Sequence, residues 1–308
     1  MEKELKKITL DLSPHTSKIY ANSYKQIRVI LNIKDKRKFI KNKPVEDVVE
    51  TLDNYIVPRT QKKINPNTKY SYFVVVKKIY MNEKNKDFLM EKEKQYRDEV
   101  QEYKKQQNGE LQKEDLPTFT ELSKILKNEE KPMKYLINFL FLKVNVRNQD
   151  VAYIKLHKNN VDESKLDNQL NHIYLKDGKA IYLRNKYKTF GTYGQKRNII
   201  SVKKFVEVVK ELLGDKDERL LFSKKDGTPI TNGSISSYFR PHLIKGLQEG
   251  EIMKIVMKHI NENGTFNDLR RVSNNRGSSV PLLLKEYDIT KIKEPTENIT
   301  ANQLKPED

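Results

Sequence analysis

The sequence predicts a mainly α-helical protein with one small antiparallel sheet, an α+β chain, and three observations carry that expectation. Apolar residues recur at helical spacing over most of the 308 residues. Only the region 172–202 departs from this, with short β-rich runs set about an Asp177-Gly178 turn. The stretch from Tyr135 to Leu142 is apolar nearly all round, the mark of a buried central helix.

The elements follow in order. After "SPHTSK", Tyr20, Tyr24, Ile27 and Leu31 fall on one helical face. A second helix starts at Pro44, where a proline in the first turn loses no hydrogen bond, and its stripe is Val45, Val48, Val49 and Leu52. A third follows "INPNTK" with Tyr70, Phe73, Lys77 and Tyr80 along it. Over residues 83–116, Leu89, Tyr96, Val100 and Tyr103 keep a helical spacing while nearly everything else is charged or polar, which predicts a long exposed helix and then a linker through Gly109. Beyond the buried helix, "VNVRNQDVAYIKL" reads as a tight turn with Arg147 and an amphipathic segment. The runs "HIYLK" and "KAIYLR" form a hairpin, and "RNIISV" adds a third strand. A helix over "VKKFVEVVKELL", the turn "KKDGTP", a helical segment from about Ser234 to Gln248 and a late helix around Arg270 complete the chain. These patterns divide it into a helical domain over 1–105, a linker over 106–116 and a mixed domain over 117–308. From Lys291 the sequence is polar and interrupted by proline, which reads as an exposed end.

Composition narrows the function. Lys and Arg number 60 against 42 Asp and Glu, a formal net charge of +18, so the natural partners are polyanions. No apolar run approaches the roughly 20 residues that span a bilayer, so nucleic acid is expected rather than a membrane. The absence of cysteine excludes disulfides, thiolate metal sites and a Cys nucleophile, and it fits an intracellular setting. The histidines at 15, 157, 172, 242 and 259 lack the i,i+4 pairing of zinc motifs, so neither a metal nor a cofactor is expected.

Three stretches could grip a phosphodiester, because a guanidinium offers two parallel hydrogen bonds to phosphate oxygens. They are Arg147 in "NVRNQDV", the segment 176–204 with nine Lys and Arg against Asp177 alone, and "FNDLRRV" with Arg270. Each also has a bland alternative. Arg147 could satisfy carbonyls at a helix end, Lys186 and Lys188 could be solvated, and the N-terminal tyrosines could be core aromatics rather than base-stacking platforms.

In that order along the chain, the three stretches resemble the tyrosine recombinase and integrase family. The resemblance covers most of the chain and implies a helical DNA-clamping, core-binding domain followed by a recombinase-like catalytic domain. It implies strand cleavage through a phosphotyrosyl link, without a metal. On that pattern Arg147 and Arg270 hold the phosphate, Lys188 is the general acid with Lys186 its nearest competitor, and Asn267 stands where the family has His. Tyr287, which alone among tyrosines follows Arg270, is the candidate nucleophile. Lys186, Lys196, Arg197 and Arg271 are expected on double-stranded DNA, and the family also self-associates there. Two alternatives stay open: a recombinase fold that binds DNA without cutting it, and a helical protein-interaction module with a solvated basic surface.

Overall fold

The computed structural model describes residues 2–35, 37–113, 116–230 and 235–287. Ser234 and the polar end from Lys291 lie outside them. The chain is mainly helical α+β and divides into two compact units, Met1–Glu110 and Leu111–Asp308.

The first unit holds helices α1 (Glu2–Thr9), α2 (Pro14–Ile30) and α3 (Val45–Asn54), a two-stranded ribbon β1 (Ile56–Val57) and β2 (Lys62–Lys63), then α4 (Pro66–Tyr80) and α5 (Lys86–Lys113). Its core is Tyr24 and Ile27 of α2, Val45, Val48 and Leu52 of α3, and Phe73 and Val76 of α4, closed by Leu89 and Tyr96 of α5. The buried carboxylate of Glu4 ties α1 to this core: it accepts from the Tyr24 hydroxyl at 2.6 Å and from the backbone N–H groups of Ile40 and Lys41, each at 3.1 Å. Burial first, and Glu4 second, push the Tyr24 hydroxyl up to about 12. The expected linker over 106–116 begins as helix, because α5 runs on through Gly109 to Lys113. A single glycine costs a helix only about 1 kcal/mol, too little to end one this long.

The second unit opens with α6 (Phe119–Lys127), whose Thr118 and Glu121 form a capping box, and α7 (Pro132–Phe139). A π-helical turn over Leu140–Val144 follows, and Asn145 then takes a left-handed backbone with φ of 62°. That reversal delivers Arg147 to the head of α8 (Asn148–Ala152). Next come β3 (Ile154–His157), β4 (Asn171–Lys176), β5 (Lys179–Arg184), α9 (Phe190–Tyr193), β6 (Lys196–Ile200), α10 (Lys203–Leu213) and β7 (Glu218–Leu220). The last elements are α11 (Ile235–Phe239), α12 (Glu249–Asn263), α13 (Phe266–Arg276) and α14 (Val280–Tyr287).

The expected three antiparallel strands are present as β4, β5 and β6, but the sheet is larger, with five strands in the order β6-β5-β4-β3-β7. β3 pairs parallel with β4, so the sheet is mixed. Alternation could not reveal β3, because its four residues are almost all buried on both faces. The expected helix up to Gln248 is also shorter: α11 ends at Phe239 and tight turns at Arg240–His242 and Ile244–Gly246 replace the rest. Pro241 lacks the N–H that a continuing helix needs, and Lys245 adopts a φ of 51°.

The sheet buries a histidine pair. His157 Nε2 and His172 Nδ1 lie 2.9 Å apart, with the Asp167 carbonyl 2.8 Å from the far side of His172. Burial, and then the His172 charge, depress His157 to about 4. A base with a depressed folded pKa contributes stability above its unfolded value, near 6.5, and loses it as pH falls through the folded one. The thermal midpoint should therefore drop between pH 6.5 and about 4, with a flatter profile in His157→Gln. An equally steep profile in the variant would assign the acid sensitivity elsewhere.

Candidate functional site

The site is built on the C-terminal end of α13. Its N-terminus is closed by a capping box between Thr265 and Asp268, and Gly277 ends it with a left-handed φ of 61°. The last carbonyls of an α-helix have no intrahelical partner and carry the negative end of the macrodipole. Here three cations from outside the helix take them in succession. Lys196 Nζ donates to the Asn274 carbonyl, Arg184 Nη1 to that of Asn275 at 2.6 Å, and Arg147 Nη1 to that of Arg276. The Thr189 hydroxyl adds a bond to the Gly277 carbonyl at 2.7 Å. The turn carrying Arg147 and the β5–β6 hairpin are thereby tied to one helix end.

Gly277 is required there on two grounds. Its φ disfavours a side chain, and a Cβ would sit 2.5 Å from Thr189 Oγ1 and 3.0 Å from the Tyr187 ring.

Two of the gathered arginines are buried and neutralised. Arg184 pairs with Asp150 at 3.2 Å, both side chains fully buried, and also donates to Asn198 Oδ1 at 3.0 Å. Burial raises the Asp150 carboxyl above the ordinary value, against the opposing pull of Arg184. Arg276 is paired with Glu249 at the head of α12, donates to the Val146 carbonyl at 3.3 Å and to the Tyr287 hydroxyl at 2.6 Å, and lies over the Tyr287 ring at 4.6 Å. Arg147 and Lys196 differ. Both are only half-buried, and among the described residues neither is ion-paired with a carboxylate. Burial, and then the Arg276 charge, lower the pKa of Arg147; burial, and then Arg184, lower that of Lys196. Four cations against two carboxylates leave a surplus positive charge, and it resides on the two groups that solvent can reach.

The residues expected from sequence divide accordingly. Arg147, Lys196 and, through Arg276, Tyr287 are brought into one constellation. Asn267 and Arg270 are exposed on the first turns of α13. Arg270 precedes Arg276 by six residues, which is roughly 9 Å along the axis and a different face, so Arg276 is the α13 arginine that meets Arg147. Arg271 pairs with Asp268 at 3.2 Å and Arg197 with Glu163 at 2.6 Å. Lys186 stands over the Tyr153 ring at 4.2 Å, and Lys188 is exposed on the hairpin loop. Sequence reasoning missed Arg184, Arg276, Asp150 and Glu249. One signal was available: the Arg276-Gly277 dipeptide marks a helix C-terminus, where cations collect.

No protein-family model matches the chain, and no curated protein matches it. Among the described residues, no group of three or more His, Asp or Glu is placed to hold a metal ion, and no helix is long and apolar enough to cross a membrane.

Proposed function

We propose that this chain binds double-stranded DNA and that Arg147 and Lys196, beside Tyr287, form its phosphate site, in the manner of the tyrosine recombinases. The observation that carries the reading is the pair of half-exposed cations without carboxylate partners among the described residues, set next to a hydroxyl that accepts a hydrogen bond from Arg276. Arg147 has donors left beyond its one bond to a carbonyl, so it can still present a fork to phosphate oxygens. In the reaction, Tyr287 gives up its hydroxyl proton to solvent as Oη attacks phosphorus, the bond to the 5′ oxygen breaks, and that oxygen takes a proton from a neighbouring acid. Lys196 is the better placed donor, because its lowered pKa favours proton release and it shares the cluster, whereas Lys188 is exposed. This moves the role of general acid from Lys188 to Lys196, and Arg276, buried and paired with Glu249, positions the Tyr287 hydroxyl rather than holding the phosphate.

A second reading is favoured by one observation: Arg147, Arg184 and Lys196 all donate to helix-end carbonyls. Such a pocket can hold a phosphate without cutting. A nicked suicide duplex separates the two. The cutting enzyme gives a covalent protein–DNA adduct that Tyr287→Phe abolishes and Lys196→Ala slows by about 10²- to 10⁴-fold, the usual contribution of general acid catalysis. DNA retention that depends on Arg147, with no adduct, identifies the silent binder. An adduct that survives Tyr287→Phe would remove the tyrosine assignment, and no retention even at low salt would leave only the protein-interaction module.

A further inference from the structure

The loop between β5 and β6 carries two aromatic rings that the phosphate site does not use. Phe190 and Tyr193 bracket the short α9 and are 41% and 42% exposed, while Tyr187 just before them is buried. Local contacts hold them in place. The Tyr187 hydroxyl donates to the Gly194 carbonyl at 2.6 Å, Phe190 meets the Tyr187 ring edge-on at 6.0 Å, and Thr189 is bonded to Gly277. Lys196 Nζ lies 5.1 Å from the Tyr193 ring. Two partly exposed rings on a loop held by these contacts are open to a ligand that can cover an aromatic face.

Charge says what the cover is. Lys186, Lys188 and Lys196 flank the loop and, among the described residues, have no carboxylate partner, so a hydrophobic protein partner would have to be acidic as well. A nucleotide combines a flat π-face with an anionic backbone, and each half matches one half of this surface. In an intact duplex the base faces are already occupied by their neighbours, so only a base displaced from the stack has a face to offer. We infer that Phe190 and Tyr193 form a stacking platform for an unpaired base of the bound DNA, beside the phosphate site. The inference rests on the DNA-binding reading and adds to it the state of DNA that is preferred.

The test compares a fully paired duplex with one carrying a single bulged 2-aminopurine, by anisotropy and by 2-aminopurine fluorescence. The intact chain should bind the bulged duplex about 5- to 150-fold more tightly, the range typical of one stacked base, and should quench the fluorophore. Phe190→Leu with Tyr193→Leu keeps the apolar bulk and removes the rings. That variant should lose both the preference and the quenching, while the salt slope for paired duplex stays unchanged because no phosphate contact is removed. Far-UV circular dichroism checks that it is folded. Equal binding of the two duplexes by the intact chain, or a preference that persists in the leucine variant, overturns the platform and leaves DNA binding standing. A chain that binds neither duplex overturns both.

Discussion

Affinity for duplex DNA should fall about 10³- to 10⁵-fold between 50 and 200 mM salt if about six to ten phosphates are neutralised. The reason is counterion release: each cation placed on a phosphate frees condensed ions, and added salt opposes that release. A chain with a formal charge of +18 has cations enough for the purpose. The structure separates those with charge to offer from those without. Arg184 and Arg276 are neutralised in the interior, and Arg271 and Arg197 have carboxylate partners at the surface. Arg147 and Lys196 are half-exposed and have none among the described residues. Removing either should weaken binding to all sequences alike and reduce the salt slope by about 1, whereas Arg271→Ala should leave the slope nearly unchanged. Anisotropy titrations across the salt series measure both quantities. A complex insensitive to salt would refute phosphate neutralisation as the source of affinity.

Replacing Arg184 by Met should destabilise the second unit by about 3–5 kcal/mol, because it leaves Asp150 as an unpaired charge in the interior. The pair is fully buried at 3.2 Å, and Arg184 also holds the Asn275 carbonyl and Asn198 in place. Adding Asp150→Asn should recover much of the loss, since a neutral amide costs less to bury. The pH dependence has a definite sign. Burial already raises the Asp150 carboxyl, and loss of Arg184 raises it further. A carboxyl whose folded pKa lies above its unfolded value favours folding below the unfolded value and loses that contribution as pH rises through the folded one. The deficit of the single variant should therefore shrink as pH is lowered toward the ordinary carboxylate range. Urea unfolding at several pH values reads it, and an unchanged midpoint at neutral pH would mean that the pair is dispensable.

The same contacts explain which parts of the site were legible in the sequence. Arg147 could be placed because its signal is local: a buried helix, then Asn145, whose short polar side chain tolerates the left-handed turn that presents the arginine. The hairpin was legible from the Asp177-Gly178 turn and the alternation around it. Asn267 and Arg270 drew attention through their spacing, yet they lie on an exposed turn, because the capping box of Thr265 and Asp268 starts α13 there. Arg276 sits at the other end of that helix, and nothing in its neighbours within the sequence reports that Arg147, 129 residues earlier, donates to its carbonyl.

The sequence by itself determined the charge, the helical periodicity, the hairpin and the helix caps, since each depends on residues within a turn or two of one another. Tertiary structure alone decided that β3 and β7 complete a mixed sheet, that Arg276 rather than Arg270 meets Arg147, and that Asp150 and Glu249 neutralise two of the four gathered cations while Arg147 and Lys196 keep their charge. The physical reason is the same in each case. Periodicity tells which face of an element is apolar, but the partner of a buried charge is set by how distant elements pack, and a few ångströms there separate a neutralised arginine from one able to hold a phosphate.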